Sequence, residues 1–332
     1  MASLTHKQDF PVPIRFIMLP PASDRIRTWA AAIGQAVPEL DVVVCATRRE
    51  ALEALPQTRA AYGQLDPELL SAASRLEWLA CYAAGPSPGY YFPQLIDSPV
   101  TVTNTRGIYN DHISCHIMAF VLAFSRGLHV YLPSQLKRKW VHDSGPPVIN
   151  LPQATCVLIG VGGIGAATAR QCANWEMHVV GIDPRCPQPP ESVSELYRPE
   201  QLDEHIGRGD FVIVTAPQTP ATQGLIDRTR LAKMKPSGVL INIGRGTTVH
   251  LDDLADALYA GTIGGAALDV FETEPLPADH RLWTAPNFLM TPHVAGEGPH
   301  LEQRRLDLLI DNARRLVRGD PLVNVVDKRN WF

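Results

Sequence analysis

Short apolar runs alternate with longer segments whose apolar residues recur every three or four positions. In the first third, Ile14 to Leu19, Val42 to Cys45, Leu76 to Ala80 and Val100 to Thr103 read as buried strands. Ala- and Leu-rich stretches such as Ile26 to Ala36 and Arg49 to Leu55 read as the intervening helices. Strands alternating with helices imply a parallel sheet covered on both faces. His112 to Val130 is too long and apolar for a strand and is expected as a buried helix. Ser134 to Pro152 is polar and contains Gly145, Pro146 and Pro147, so it reads as connecting structure.

A second alternating series follows. Its strand candidates are Cys156 to Val161, His178 to Ile182, Phe211 to Thr215, Val239 to Ile243, Ala266 to Val270 and Phe288 to Thr291. Helical patterns at Ile164 to Asn174, Arg228 to Met234 and Leu251 to Ala260 lie between them. Near the end, Leu306, Leu309, Ile310, Ala313, Leu316 and Val317 form one face of an amphipathic helix with arginines opposite. That helix stands outside the second series and can pack back on the first domain, making it discontinuous.

A length of 332 residues suits two domains, each long enough to bury a core. The net charge of −4 gives no electrostatic case for nucleic acid or an anionic membrane. Ile117 to Phe124, the longest strongly apolar run, is far too short to span a bilayer. Lys7, Asp9 and Arg15 interrupt the amino terminus, so no secretory signal is expected there. Six cysteines without C-x-x-C spacing are then expected as reduced thiols in a cytoplasm, with no metal site.

The chemistry begins at Gly160-Val-Gly162-Gly163-Ile164-Gly165, where an apolar strand runs into G-x-G-x-x-G and on into a helix. The glycines permit a tight turn, backbone approach to a pyrophosphate, and close packing of helix on strand. The helix amino terminus adds free N–H groups and a positive dipole end. Asp183 closes the next strand, 18 residues after Gly165. A carboxylate there can accept the ribose hydroxyls and repels a 2′-phosphate, which favours NAD. Arg185, two residues on, can pair such a phosphate, so NADP stays open.

Arg245, Glu274 and His293 follow three later strands. Ligands of open α/β sheets bind beyond the carboxyl ends of strands, so these three side chains point toward one crevice. A guanidinium can hold the carboxylate of a 2-oxo acid and polarise its carbonyl. An imidazole can protonate the alkoxide left by hydride addition, and a carboxylate on the ring's other nitrogen favours imidazolium. Taken singly, Arg245 can be a surface cation, Glu274 a loop acid beside Pro275, and His293 a donor to a carbonyl.

Several segments together resemble the D-isomer-specific 2-hydroxyacid dehydrogenases: Gly160 to Gly165, Gly181-Ile-Asp-Pro184, Lys235 to Gly246, Ala266 to Pro277 and Pro286 to His293. Val102 to Thr105 and Leu79 to Gly85 also resemble family segments, more weakly. The resemblance implies a Rossmann-type doubly wound parallel sheet in residues 106–297. It also implies a smaller flavodoxin-like α/β substrate domain, 1–105 plus 298–332, with a cleft between the two and a homodimer. Arg245 is implied as substrate binder, His293 as proton donor and Glu274 as its partner. Asp269 is implied to bond the nicotinamide carboxamide. Pro184, Arg185, Thr215, Ala216, Pro217, Thr222, Ile243, Gly244 and Ala295 are implied to line the cofactor. Ala83, Ala84 and Gly85 match a loop whose backbone holds the substrate carboxylate.

Two segments depart from the family pattern. Pro86 and Pro88, which lack N–H groups, follow Gly85, and Ser114-Cys115-His116 stands where the family usually has Ala-Glu-His. The expected function is NAD(P)H-dependent reduction of a 2-oxo acid to the D-2-hydroxy acid. The alternative is an NAD(H)-sensing binding protein, similar to the corepressors of this fold. Tyr82, Tyr90, Tyr91, Trp140 and Trp283 can line a pocket for a bulky side chain, although core or interface packing is the commoner role for any one of them.

Overall fold

The computed structural model describes residues 13–85, 89–142 and 145–329. Pro86, Pro88, Lys7 and Asp9 lie outside those residues. The chain divides into two compact units, one ending at Ile108 and resuming at His300, the other Tyr109–Pro299.

The first unit holds a five-stranded parallel sheet: β1 (Ile14–Met18), β2 (Leu40–Val44), β3 (Ala60–Tyr62), β4 (Trp78–Ala80) and β5 (Thr101–Thr103). Their order is β2-β1-β3-β4-β5, the flavodoxin-like winding. The reading of apolar runs passes over β3, whose Ala-Ala-Tyr carries almost no β signal; burial on both faces makes it a strand. The helices start where capping side chains permit. Ser23 accepts the Ile26 N–H at the head of α1 (Asp24–Ala36), and Thr47 caps α2 (Arg48–Ala54). Asp66 accepts from Glu68 and Leu69 ahead of α3 (Pro67–Ala72), and α4 (Pro93–Asp97) begins on a proline.

In the second unit, His112 to Val130 is not one helix but two, α5 (Asn110–Ser125) and α6 (Leu128–Leu136), bent by 74°. Gly127 makes the bend at φ +71, where a Cβ would meet a Pro146 ring carbon at 2.6 Å. Neither helix alone is long and apolar enough to cross a membrane. The sheet follows: β6 (Thr155–Ile159), β7 (His178–Ile182), β8 (Glu195–Tyr197), β9 (Phe211–Val214), β10 (Val239–Asn242), β11 (Gly265–Leu268) and β12 (Phe288–Met290). All pairs are parallel, in the order β12-β11-β10-β9-β6-β7-β8. β8 is a half-buried Glu-Leu-Tyr edge strand and gives no apolar run to read. The covering helices are α7 (Gly163–Asn174), α8 (Leu202–His205), α9 (Arg228–Leu231) and α10 (Leu251–Ala260). The strand order reverses at β6 and β9, so the ligand crevice is expected beyond their carboxyl ends.

The chain then returns to the first unit as α11 (Leu301–Arg318). Leu306, Leu309 and Ala313 join Ile26, Trp29 and Ile33 of α1 in one apolar cluster.

Candidate active site

The loop after β6 is shaped by contacts that only glycine tolerates. Gly160 sits at φ +96, and a Cβ there would lie 2.8 Å from the Ala216 nitrogen. A Cβ on Gly165 would lie 2.1 Å from the Gly160 oxygen. Gly162 faces open space, with no atom within 4 Å of its would-be Cβ. That is the arrangement a pyrophosphate needs at the amino end of α7, and Gly163 and Ile164 are its first helical residues. Thr215 ties β9 to this loop, donating to the Gly160 oxygen at 2.7 Å. Ala216 is buried, and Thr222 donates back to the exposed Pro217 carbonyl at 2.7 Å, closing the next turn. Ile243 and Ala295 are buried on the same side of the sheet, and Gly244 abuts the Ala216 oxygen.

Asp183 is only 5% exposed. One carboxylate oxygen accepts the Val161 N–H at 2.8 Å; the other accepts Arg185 and Cys186 N–H at 2.8 and 2.9 Å. Three of its roughly four acceptor positions are thus filled by backbone. The Pro184 carbonyl accepts from the Arg198 guanidinium, so cationic residues 185 and 198 both belong to this turn.

Across the sheet, β10, β11 and β12 deliver the remaining polar side chains. Arg245 follows β10 and is half-buried; its Nη1 donates to the Gly244 oxygen at 2.7 Å. Desolvation lowers its pKa from the usual guanidinium value, and the nearby Glu274 charge opposes that shift. Two residues that sequence reasoning missed hold the Arg245 backbone. Asn242, wholly buried, donates to the Arg245 oxygen at 3.0 Å and accepts the Gly244 N–H. Thr248 donates to the same oxygen at 2.6 Å. The available signal was an asparagine ending an otherwise apolar strand. Gly246 lets this turn touch the next one: a Cβ there would fall 1.8 Å from the Phe271 carbonyl carbon.

That contact brings Glu274 beside Arg245. Glu274 Oε1 accepts the Phe271 N–H at 2.9 Å, and Oε2 lies 2.8 Å from His293 Nδ1. A carboxylate partner places the proton on Nδ1 and leaves Nε2 for another partner. His293 is about half exposed, at φ +56, and its N–H donates to the Asp269 carbonyl at 2.8 Å. Asp269 is 1% exposed. Its Oδ1 accepts from Thr291 at 2.6 Å and from the Val294 N–H at 2.9 Å, and its Oδ2 accepts the Ala295 N–H at 3.0 Å.

The structure therefore brings Arg245, Glu274, His293 and Asp269 together at the carboxyl ends of three adjacent strands. Ala83, Ala84 and Gly85 belong to the first unit, where Ala84 accepts from the Asn104 carboxamide at 2.9 Å. Tyr90 and Tyr91 are buried in that unit's core and Tyr82 is half exposed beside them; Trp140 and Trp283 are exposed. Among the described residues, no His, Cys, Asp and Glu group is placed to hold a metal ion, and all six thiols are free.

Residues 118–295 match the family model for the NAD binding domain of D-isomer specific 2-hydroxyacid dehydrogenases. The glyoxylate reductase of Thermofilum pendens is 31% identical over 271 residues, 80% of this chain and 79% of that protein. The human glyoxylate reductase/hydroxypyruvate reductase is 37% identical over 174 residues, 52% of this chain and 53% of that one. Among solved structures, a family member from Xanthobacter autotrophicus Py2 in complex with NADPH and MES superposes with a TM-score of 0.82 at 27% identity, covering 95% and 99% of the two chains. The NADPH-dependent glyoxylate/hydroxypyruvate reductase of Sinorhizobium meliloti, in complex with NADP and sulfate, gives 0.80 at 28% identity, covering 96% and 100%. With glycine loop, strand order and polar cluster all in place, the chain belongs to the D-isomer specific 2-hydroxyacid dehydrogenase family and is an NAD(P)-dependent enzyme of that family.

Proposed function

We propose that the protein reduces a 2-oxo acid to the D-2-hydroxy acid, with Arg245, His293 and Glu274 carrying the chemistry. The observation that carries this reading is the 2.8 Å contact between His293 Nδ1 and Glu274, beside a half-buried guanidinium. Arg245 grips the substrate carboxylate and polarises the adjacent carbonyl. Because the guanidinium is partly desolvated, its attraction for an incoming anion is less screened than at the open surface. A reduced nicotinamide, when bound, supplies the hydride. His293 then delivers its Nε2 proton to the developing alkoxide, and Glu274 stabilises the imidazolium before transfer. In the reverse direction the neutral ring removes that proton.

The dinucleotide is held at both ends by this chain's own groups. The Gly160–Gly165 loop and the head of α7 take the pyrophosphate. Asp183, Pro184 and Arg185 flank the adenosine ribose; Thr215, Pro217, Thr222 and Ile243 line the middle. Asp269 takes the nicotinamide carboxamide through the acceptor position left on Oδ2. Glyoxylate and hydroxypyruvate, named for the relatives, are the first substrates to test.

Initial rates with glyoxylate, hydroxypyruvate, pyruvate and phenylpyruvate, each with NADH and NADPH, test the reading directly. Turnover of at least one acid, lost in Arg245→Ala while cofactor binding persists, is expected. Full retained turnover in that variant defeats the assignment. The homodimer that the resemblance implies is proposed to form through α6, whose Leu128, Leu132 and Leu136 are exposed in one row beside Trp140. Sedimentation of Leu132→Glu, which should yield monomer, tests it.

A further inference from the structure

The Asp269 carboxylate is held from one side by something other than backbone. Thr291 donates its hydroxyl to Oδ1 at 2.6 Å, and His116 Nε2 lies 2.9 Å from the same hydroxyl oxygen. A threonine hydroxyl has a single proton, and here it goes to the carboxylate. The Thr291 oxygen must therefore accept from His116, which fixes the Nε2–H tautomer. The result is a directed chain, His116 to Thr291 to Asp269, joining the middle of α5 to the ends of β12 and β11. The ring of His116 is itself held edge-on to Phe120 at 4.8 Å between centroids, one helical turn away.

Counting acceptor positions shows what this chain leaves behind. Oδ1 is saturated by Thr291 and Val294, and Oδ2 has one partner, Ala295. One lone-pair direction of about four remains, on a side chain 1% exposed. Without the Thr291 donor only the Val294 and Ala295 N–H groups, one on each oxygen, would oppose turning of the carboxylate about its last bond, a broad torsion. We infer that His116, acting through Thr291, is a positioning residue that fixes the rotation of the Asp269 carboxylate and so aims its single vacant acceptor position at the nicotinamide carboxamide. This rests on the reading of Asp269 as the carboxamide acceptor. It makes His116 a determinant of how the ring end of the cofactor is held, with no direct contact of its own.

The test measures the affinity of the full-length protein for NADH and for ADP-ribose, which lacks the nicotinamide. His116→Phe keeps an aromatic ring but removes the donor; His116→Gln keeps an N–H. The Phe variant should bind NADH about tenfold more weakly, the scale of one lost hydrogen bond to a charged group, with ADP-ribose affinity unchanged. The Gln variant should recover part of that loss, and Thr291→Val should reproduce the Phe variant without adding to it in the double variant. Equal weakening of both ligands in His116→Phe, or none of either, overturns the inference. Asp269→Asn separates the two levels. If it leaves the NADH to ADP-ribose ratio untouched, the assignment of Asp269 fails and the inference falls with it. If it shifts the ratio while His116→Phe does not, only the role of His116 is lost.

Discussion

The two halves of the seven-stranded sheet hold their polar groups by different means. At the β6–β7 side, Asp183 is locked by three backbone N–H groups, and the loop beside it is shaped by glycines. At the β10–β12 side, side chains share that work: Thr291 joins the Val294 and Ala295 N–H groups on Asp269, Asn242 and Thr248 hold the Arg245 carbonyl, and Glu274 holds the His293 ring. A backbone socket is nearly independent of what its neighbours are, provided the turn forms. A side-chain socket can be retuned by one substitution several residues away. The first suits a constant part of a ligand, such as a pyrophosphate. The second suits reacting atoms, whose charge changes during the reaction and whose environment must be placed to a fraction of an ångström.

The largest expected break in this contrast lies at Arg245 and His293. Arg245→Ala should lower kcat/KM for the best 2-oxo acid by about 10³-fold, the scale of removing a donor aimed at developing negative charge. Arg245→Lys should recover little, since an ammonium cannot reproduce the planar fork. His293→Ala should cost about 10²–10⁴-fold in kcat. In both variants the NADH dissociation constant, read by fluorescence titration, should move little. A comparable loss of NADH affinity would show that the ring side and the adenosine side do not act separately.

Next in size is Gly246→Ala. The methyl group would have to occupy the backbone of Phe271, so the turn carrying Arg245 must separate from the turn carrying Glu274. We expect activity to fall by at least about tenfold with the fold retained, since a strained loop costs on the order of 1–3 kcal/mol and the seven-stranded core lies elsewhere. Circular dichroism with kcat measured on the same sample checks this. Unchanged kcat would mean that the contact between the two turns is not what assembles the site.

The contrast also explains what was legible in the chain. Apolar β strands such as Phe211–Val214, and the glycine loop, are visible because each leaves a pattern in consecutive residues: an unbroken apolar run, or three glycines at G-x-G-x-x-G spacing. Arg245, Glu274 and His293 each follow a readable strand, but singly they admit ordinary roles; adjacency across β10, β11 and β12 is what joins them. Asn242, Thr248 and His116 were not read as site residues, because their hydrogen bonds reach backbone or side chains that only the folded sheet brings near. The bend at Gly127 was missed for a related reason. Apolar residues continue across it, and what requires glycine there is Pro146, far along the chain. Strands β3 and β8 were missed because a three-residue strand with alanines, or with one polar face, leaves no periodic trace.

On the adenosine side, Asp183→Asn should sharpen the comparison at smaller scale. The asparagine oxygen can keep part of the backbone network, but its charge is gone and its NH₂ faces N–H groups. The ratio of NADPH to NADH in kcat/KM should rise by about tenfold, as a carboxylate no longer opposes a 2′-phosphate, while Arg185 and Arg198 remain. An unchanged ratio would mean that the three backbone donors already neutralise Asp183 toward the cofactor.

The smallest effect is expected farthest from either ligand end, at the amino ends of β7 and β8. Glu195 accepts from Arg208, from Tyr197 at 2.6 Å and from His178 at 2.6 Å. The Arg208 guanidinium above all, then the Tyr197 hydroxyl and His178, hold its carboxyl well below the usual carboxylate range. A carboxyl whose pKa is depressed by folding stabilises the fold above its unfolded pKa, and that contribution is lost as pH falls toward the folded value. The network is solvent-screened, so Glu195→Gln should lower Tm by only about 2 °C at neutral pH. The difference between variant and wild type should shrink as the solution is acidified below the ordinary carboxylate range. A difference that stayed constant with pH would mean that shape at the β8 edge, not the charge of Glu195, holds this strand to the sheet.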